Sequence, residues 1–131
     1  MAGVTLDAGA LVAAQRNDRR FWAFWKWLTL RGVVANVPSP VVAQAWRGGR
    51  DARMAMVLSG CHELAMDPGS SRRTGELCGA AGAADVVDAF VVLGAADRRD
   101  EILTSDADDL RALAPHAPGL GRIRTLEELG S

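Results

Sequence analysis

Val4-Thr5-Leu6-Asp7-Ala8 is the stretch on which the fold turns. The residues before Asp7 favour an extended strand, and the Ala-rich segment from Ala8 to Gln15 favours a helix. A strand that stops at an acid and passes into a helix is the first half of a βα unit. The pattern recurs along the chain. Val33-Val34-Ala35-Asn36-Val37 reads as a buried strand before a helix from Val41 to about Trp46, with Ser39 as its cap and Pro40 at its first position. His62-Glu63-Leu64-Ala65-Met66 reads as a strand before the helix that Asp67-Pro68-Gly69-Ser70 opens. Ile102-Leu103-Thr104 reads as a strand before a helix from Asp106 to Ala114, and Gly121 to Thr125 as a last, edge-like strand.

Other helices fill the intervals. One capped by Asn17 or Asp18 runs to about Leu30 and ends at Gly32; another spans about Asp51 to Leu58. Ala83 to Ala96 reads as a buried helix with Val87, Val91 and Ala95 on its apolar side and Asp85 and Asp88 on a neighbouring face. Strands alternating with helices predict a three-layer α/β domain, with a mainly parallel central sheet flanked by helices and Val4–Leu6 as the central strand.

At 131 residues and 49% hydrophobic composition, the chain suits one domain with one core. Its formal net charge of −1 gives no global attraction to nucleic acid. Any such contact falls to local clusters: Arg19 with Arg20, Arg47 with Arg50 and Arg53, and Arg72 with Arg73. Cys61 and Cys78 are too few and too far apart for a zinc site and read as thiols in a reducing compartment. No apolar run approaches membrane-spanning length, and the N-terminus lacks a charged segment followed by a long apolar one. The expectation is a soluble, cytoplasmic protein with no membrane partner.

Four acids stand out: Asp7 and Asp106 where apolar runs stop, and Asp85 with Asp88 one helical turn apart. In open parallel sheets, ligands bind beyond the carboxyl ends of the strands. Singly, each acid reads as a helix cap or first-turn residue, and Asp108 and Asp109 as first-turn residues favoured by the helix dipole. Asp88 resists that reading. It sits inside Val86-Val87-Asp88-Ala89-Phe90-Val91-Val92, and no Lys or Arg occurs from Thr74 through Asp97. An ionised carboxylate in apolar surroundings needs a partner or ligand. Clustered carboxylates repel unless protonated or bridged by a cation, and hard oxygen donors suit Mg²⁺ or Mn²⁺. Together the acids predict a metal-dependent phosphodiester chemistry.

The order and spacing of four pieces resemble the PIN-domain family, specifically its VapC-type toxin ribonucleases. The pieces are Val4-Thr5-Leu6-Asp7-Ala8, Pro38-Ser39-Pro40-Val41-Val42-Ala43-Gln44-Ala45-Trp46-Arg47-Gly48-Gly49, Asp85-Val86-Val87-Asp88-Ala89 and Leu103-Thr104-Ser105-Asp106. The resemblance spans nearly the whole chain, 1–131, as a single PIN-like domain. It implies Mg²⁺- or Mn²⁺-dependent endoribonuclease activity on RNA and a cognate antitoxin as partner. It places Asp7, Asp88 and Asp106 on the family's first, third and fourth acids, with Asp85 as an accessory metal ligand. The chain departs from the family at the second acid, usually glutamate, where it has Gln44. Glutamine keeps a carbonyl oxygen and loses the charge. Gln44 is left to orient a water or the metal, or to be an ordinary polar helix residue. The alternative reading is a catalytically weak or silent PIN scaffold that binds RNA or a protein.

Phe21 to Leu28 is apolar around too much of its circumference for a one-faced helix. Trp22, Trp25 and Trp27 read either as packed inside the domain or as a partner surface, the place where VapC-like proteins receive the antitoxin; base stacking is a third reading. The same cluster predicts a homodimer. Arg47 and Arg50 read as a solvated face or as contacts to RNA phosphates. His62 and His116 lack ligand spacing. Dinucleotide, phosphate-loop and nucleophile-elbow motifs are all missing from the sequence. A receiver domain pairs acids after its first strand and carries a late lysine; the lone Lys26 lies early in this chain.

Overall fold

The computed structural model describes residues 3–129. Five strands form one sheet: β1 (Val4–Leu6), β2 (Asn36–Pro38), β3 (His62–Leu64), β4 (Glu101–Thr104) and β5 (Ile123–Thr125). Their order is β3-β2-β1-β4-β5 and every pairing is parallel. β1 and β4 run in register from Val4 opposite Glu101 to Leu6 opposite Leu103. Helices flank the sheet: α1 (Ala8–Gln15), α2 (Arg19–Leu30), α3 (Ser39–Ala45), α4 (Ala52–Ser59), α5 (Pro68–Ala81), α6 (Val86–Arg98), α7 (Asp108–Leu113) and α8 (Leu126–Leu129). The three-layer α/β expectation holds. Val4-Thr5-Leu6 is buried throughout, as is Ile102-Leu103-Thr104, the continuous burial of central parallel strands covered on both faces.

The chain leaves β1 on one side for β2 and β3, then returns to the other side as β4. This reversal opens a crevice between the carboxyl ends of β1 and β4, where α/β sheets bind ligands. Gly9 lets the crevice walls meet. A methyl there would overlap the Ser105 side chain and come within 2.9 Å of its backbone nitrogen.

Several boundaries move for local reasons. β2 begins at Asn36, not Val33, because the Val33 amide bonds back to the Leu28 carbonyl (3.0 Å) and closes the end of α2. Asp18, not Asn17, caps α2 through its bond from the Arg20 amide. Ser39 is not a cap: α3 starts at Ser39 without a side-chain cap, and its hydroxyl donates to Glu63 (2.7 Å). α6 starts at Val86, after Gly82 has ended α5 in the left-handed conformation. α7 starts at Asp108 behind Ala107, with no side-chain cap. α8 was not expected; its first residue, Leu126, is buried in the core.

At the amino ends of the strands lies a polar knot. Asp100 is 2% exposed. Its Oδ2 accepts from Thr5 Oγ1 (2.8 Å), Asn36 Nδ2 (3.0 Å) and Arg98 Nε (3.1 Å). Arg98 Nη2 also donates to Thr5 Oγ1 (3.0 Å). A buried carboxylate is tolerated when paired and hydrogen-bonded, and this one ties β1, β2 and β4 together. No single helix among the described residues is long and apolar enough to cross a membrane.

Candidate active site

The opposite end of the sheet carries the acids. Asp7 follows β1 directly and caps α1: its Oδ1 accepts from the Ala10 amide (3.3 Å). Its Oδ2 accepts from Thr104 Oγ1 at 2.6 Å, and the Asp106 amide donates to the same hydroxyl at 3.1 Å. The last residue of β4 thus joins the acid after β1 to the acid after β4. Asp85 caps α6, its Oδ1 accepting from the amides of Val87 and Asp88 (2.9 Å each). Asp106 Oδ1 accepts from the Asp108 amide (3.2 Å). The capping roles weighed from the sequence are therefore real for Asp7 and Asp85; Asp85 takes both capping bonds on one oxygen, while Asp7 also accepts from Thr104 on its other.

The electrostatics bring the acids together. Burial pushes the Asp7 carboxyl up; bonds from Thr104, Ala10 and Gly9 oppose that, and the Asp106 charge adds to it. Asp88 is pushed up to about 6, first by desolvation and then by Asp85, Asp109, Asp7 and Asp106. Among the described residues no salt bridge reaches any of these five. Asp109 is the member that sequence reading assigned only to the helix dipole. The sequence carried a signal for it, three residues beyond Asp106 on the first turn of α7.

No three His, Cys, Asp or Glu side chains among the described residues converge tightly enough to enclose an ion. The donors nonetheless suit a hard cation. Mg²⁺ keeps several waters and is held by one or two carboxylates directly. A divalent ion would also offset the mutual repulsion that raises Asp88.

Gln44 sits exposed on α3. Arg47 is tied locally, its Nη1 donating to the carbonyls of Trp46 (2.8 Å) and Ala43 (3.3 Å), so it closes the end of α3. Arg50 is exposed. Trp22 and Trp25 pack against the core; Trp22 donates its indole N–H to the Ala14 carbonyl (3.1 Å), and Trp25 stacks on Phe21. Both are half-buried. Trp27 is 40% exposed, stacked on Phe24 with Arg31 over its ring. It lines a cavity of about 370 Å³ with Arg20, Phe24 and Arg124, away from the acids.

Comparison with solved structures finds this architecture elsewhere. A chain in the crystal structure of VapBC2 from Rickettsia felis, bound to a DNA fragment from their promoter, aligns with a TM-score of 0.70 and 13% identity, covering 93% of this chain and 97% of that one. PAE2754 from Pyrobaculum aerophilum aligns with a TM-score of 0.64 and 18% identity, covering 98% and 93%. The fold is PIN-like. At these identities the likeness concerns the fold alone. No protein-family model and no curated protein matches the sequence. In this PIN-like fold the crevice between β1 and β4 holds Asp7 and Asp106, the residues that the sequence pattern singled out.

Proposed function

We propose that this PIN-like domain is a divalent-cation-dependent endoribonuclease acting as the toxin of a toxin–antitoxin pair. The observation that carries the reading is the cluster of Asp7, Asp85, Asp88, Asp106 and Asp109 at the carboxyl ends of the central strands, without a counter-cation among the described residues. The likeness to a chain of the VapBC2 complex supports an antitoxin as partner. RNA as substrate, a homodimer and a cytoplasmic site of action complete the proposal.

Asp7, Asp88 and Asp106 would hold Mg²⁺ or Mn²⁺, with Asp85 assisting. Such an ion supplies charge for the phosphate and acidity for an attacking water. The chain's own residues set the geometry. Thr104 fixes Asp7 and Asp106 relative to each other through one hydroxyl. The Asp85 cap sets the start of α6, and so the position of Asp88. A carboxylate of the cluster accepts the proton released by water. The test is Mg²⁺- and Mn²⁺-dependent cleavage of a panel of single-stranded and structured RNAs. Wild type should cleave and Asp7→Asn should fall to background; a D7N variant with full activity would sink the assignment.

Gln44 keeps a second reading open: a PIN scaffold that binds RNA or protein and cleaves weakly or not at all. It stands exposed on α3, so the cluster has no carboxylate from that helix. Gln44→Glu should increase cleavage if the missing charge limits the site. A wild type without metal-dependent heat in calorimetry and without cleavage favours the scaffold.

A further inference from the structure

Between α1, the start of α2 and α8 lies a cavity of about 200 Å³ that opens beside the acids. Gly9 and Ser105 line it, two residues from Asp7 and one from Asp106 respectively. Val12 and Leu126 give it an apolar side. Its charges are unequal. Arg20 is held by Asp18 through Nη2 to Oδ2 (2.8 Å) and Nε to Oδ1 (3.1 Å), so that pair is neutral. Arg16, the residue that ends α1, is exposed, and its guanidinium makes no ion pair or hydrogen bond among the described residues. The residues that line the cavity therefore carry one net positive charge, on Arg16, at the edge of a strongly negative site. The cavity is smaller than the roughly 300–1,000 Å³ of small-molecule pockets and suits one phosphate with part of its sugar.

We propose that Arg16 and this cavity bind a backbone phosphate of single-stranded RNA next to the scissile one. The inference rests on the ribonuclease reading and gives that reading a direction: the strand runs from the acids over Gly9 and Ser105 toward α2. A substrate of repeated negative charge meets five aspartates at the reaction centre. It needs cationic contacts to either side of them. An unpaired guanidinium offers a charge-assisted, forked contact to phosphate. The Ser105 hydroxyl, exposed at the mouth, is a second donor.

The test is binding of a fluorescent single-stranded RNA oligonucleotide in EDTA, which removes cleavage from the readout, across a salt series. Arg16→Ala should weaken binding roughly tenfold, as loss of one charged hydrogen-bonding contact does. It should also reduce the slope of log affinity against log salt by about 0.7, the value for one phosphate contact on a single strand. Arg16→Lys should restore the slope and only part of the affinity. Asp7→Asn, which removes a negative charge, should bind as well as wild type or better. Unchanged affinity and slope in R16A overturn the proposal, as does a wild type that binds no RNA in EDTA. The two readings fail separately. If wild type binds RNA through Arg16 but never cleaves with Mg²⁺, the nuclease reading falls and the subsite stands. If wild type cleaves and R16A cleaves with an unchanged KM, the subsite falls and the nuclease stands.

Discussion

The two ends of the sheet solve the problem of an aspartate in opposite ways. At the amino ends, Asp100 is buried and surrounded by donors from Thr5, Asn36 and Arg98. At the carboxyl ends, Asp88 feels the charges of Asp85, Asp109, Asp7 and Asp106, and Asp7 finds only a hydroxyl and backbone donors. The same residue type is paired with a guanidinium at one end of the sheet and left without a counter-charge at the other. A carboxylate with a full set of donors contributes to the fold. Carboxylates gathered without a cation cost stability, and they are kept where they serve a ligand.

The comparison breaks most visibly at the amino end. Asp100→Ala should cost about 3 kcal/mol, the low end for removing one partner of a buried ion pair because Arg98 is partly exposed, read from urea denaturation at pH 7. It strands the Arg98, Thr5 and Asn36 donors in the knot. A cost below 1 kcal/mol would mean that water already replaces the carboxylate there.

Mg²⁺ sharpens the contrast. At a concentration a hundredfold above its dissociation constant, it should stabilise wild type by about 2.7 kcal/mol. Asp88→Asn should lose most of that gain. D100A, although weaker overall, should keep it. Equal stabilisation of wild type and D88N would remove Asp88 from the ion's surroundings.

Thr104→Val tests the link across the crevice. It keeps the shape of a buried side chain but removes the donor to Asp7 and the acceptor for the Asp106 amide. The expected cost is about 1–3 kcal/mol, with a larger proportional loss in cleavage. A variant that loses stability and keeps full activity would make Thr104 a folding residue only.

The smallest effect is a pH slope. Asp88 rises from 3.8 to about 6 on folding, so the folded chain binds its proton more tightly than the unfolded chain. Its contribution is fully present below pH 3.8 and is lost as pH rises through about 6. Asp7 shifts in the same direction. Metal-free protein should therefore lose a small increment of stability between about pH 4 and pH 6–7 from this end. D88N should flatten that increment. A wild-type curve that rises smoothly through the window, with D88N parallel to it, would contradict the crowding.

Much of this was legible in the sequence. The βα alternation follows from short β-favouring runs that end at acids and caps, and such preferences act over a few residues. Asp7 and Asp85 fall at the starts of helices in the sequence, and they do so in the fold; Asp106 stands two residues ahead of α7. Val33 and Val34 misled because β propensity says nothing of pairing: the Leu28 carbonyl claimed Val33, and the ladder began at Asn36. The tryptophans were ambiguous because a helix that is apolar on most sides has two possible hosts. Packing holds Trp22 and Trp25 half-buried against the core and leaves Trp27 at the surface.

The sequence by itself determined the alternation of strands and helices, the acidic stations and the absence of a basic residue near Asp88. Each depends on residue types and on neighbours within a turn or two. Only the tertiary structure decided which acids meet. Thr104 reaches Asp7 across 97 positions, and Thr5 reaches Asp100 across 95. Asp109 joins the cluster, and Asp100 is held apart from it, because β4 lies beside β1: the residues just after β4 meet the acid after β1, and the residue just before β4 lies at the opposite end. Charge in a protein is read through distance and burial, and both are fixed only when the strands pair.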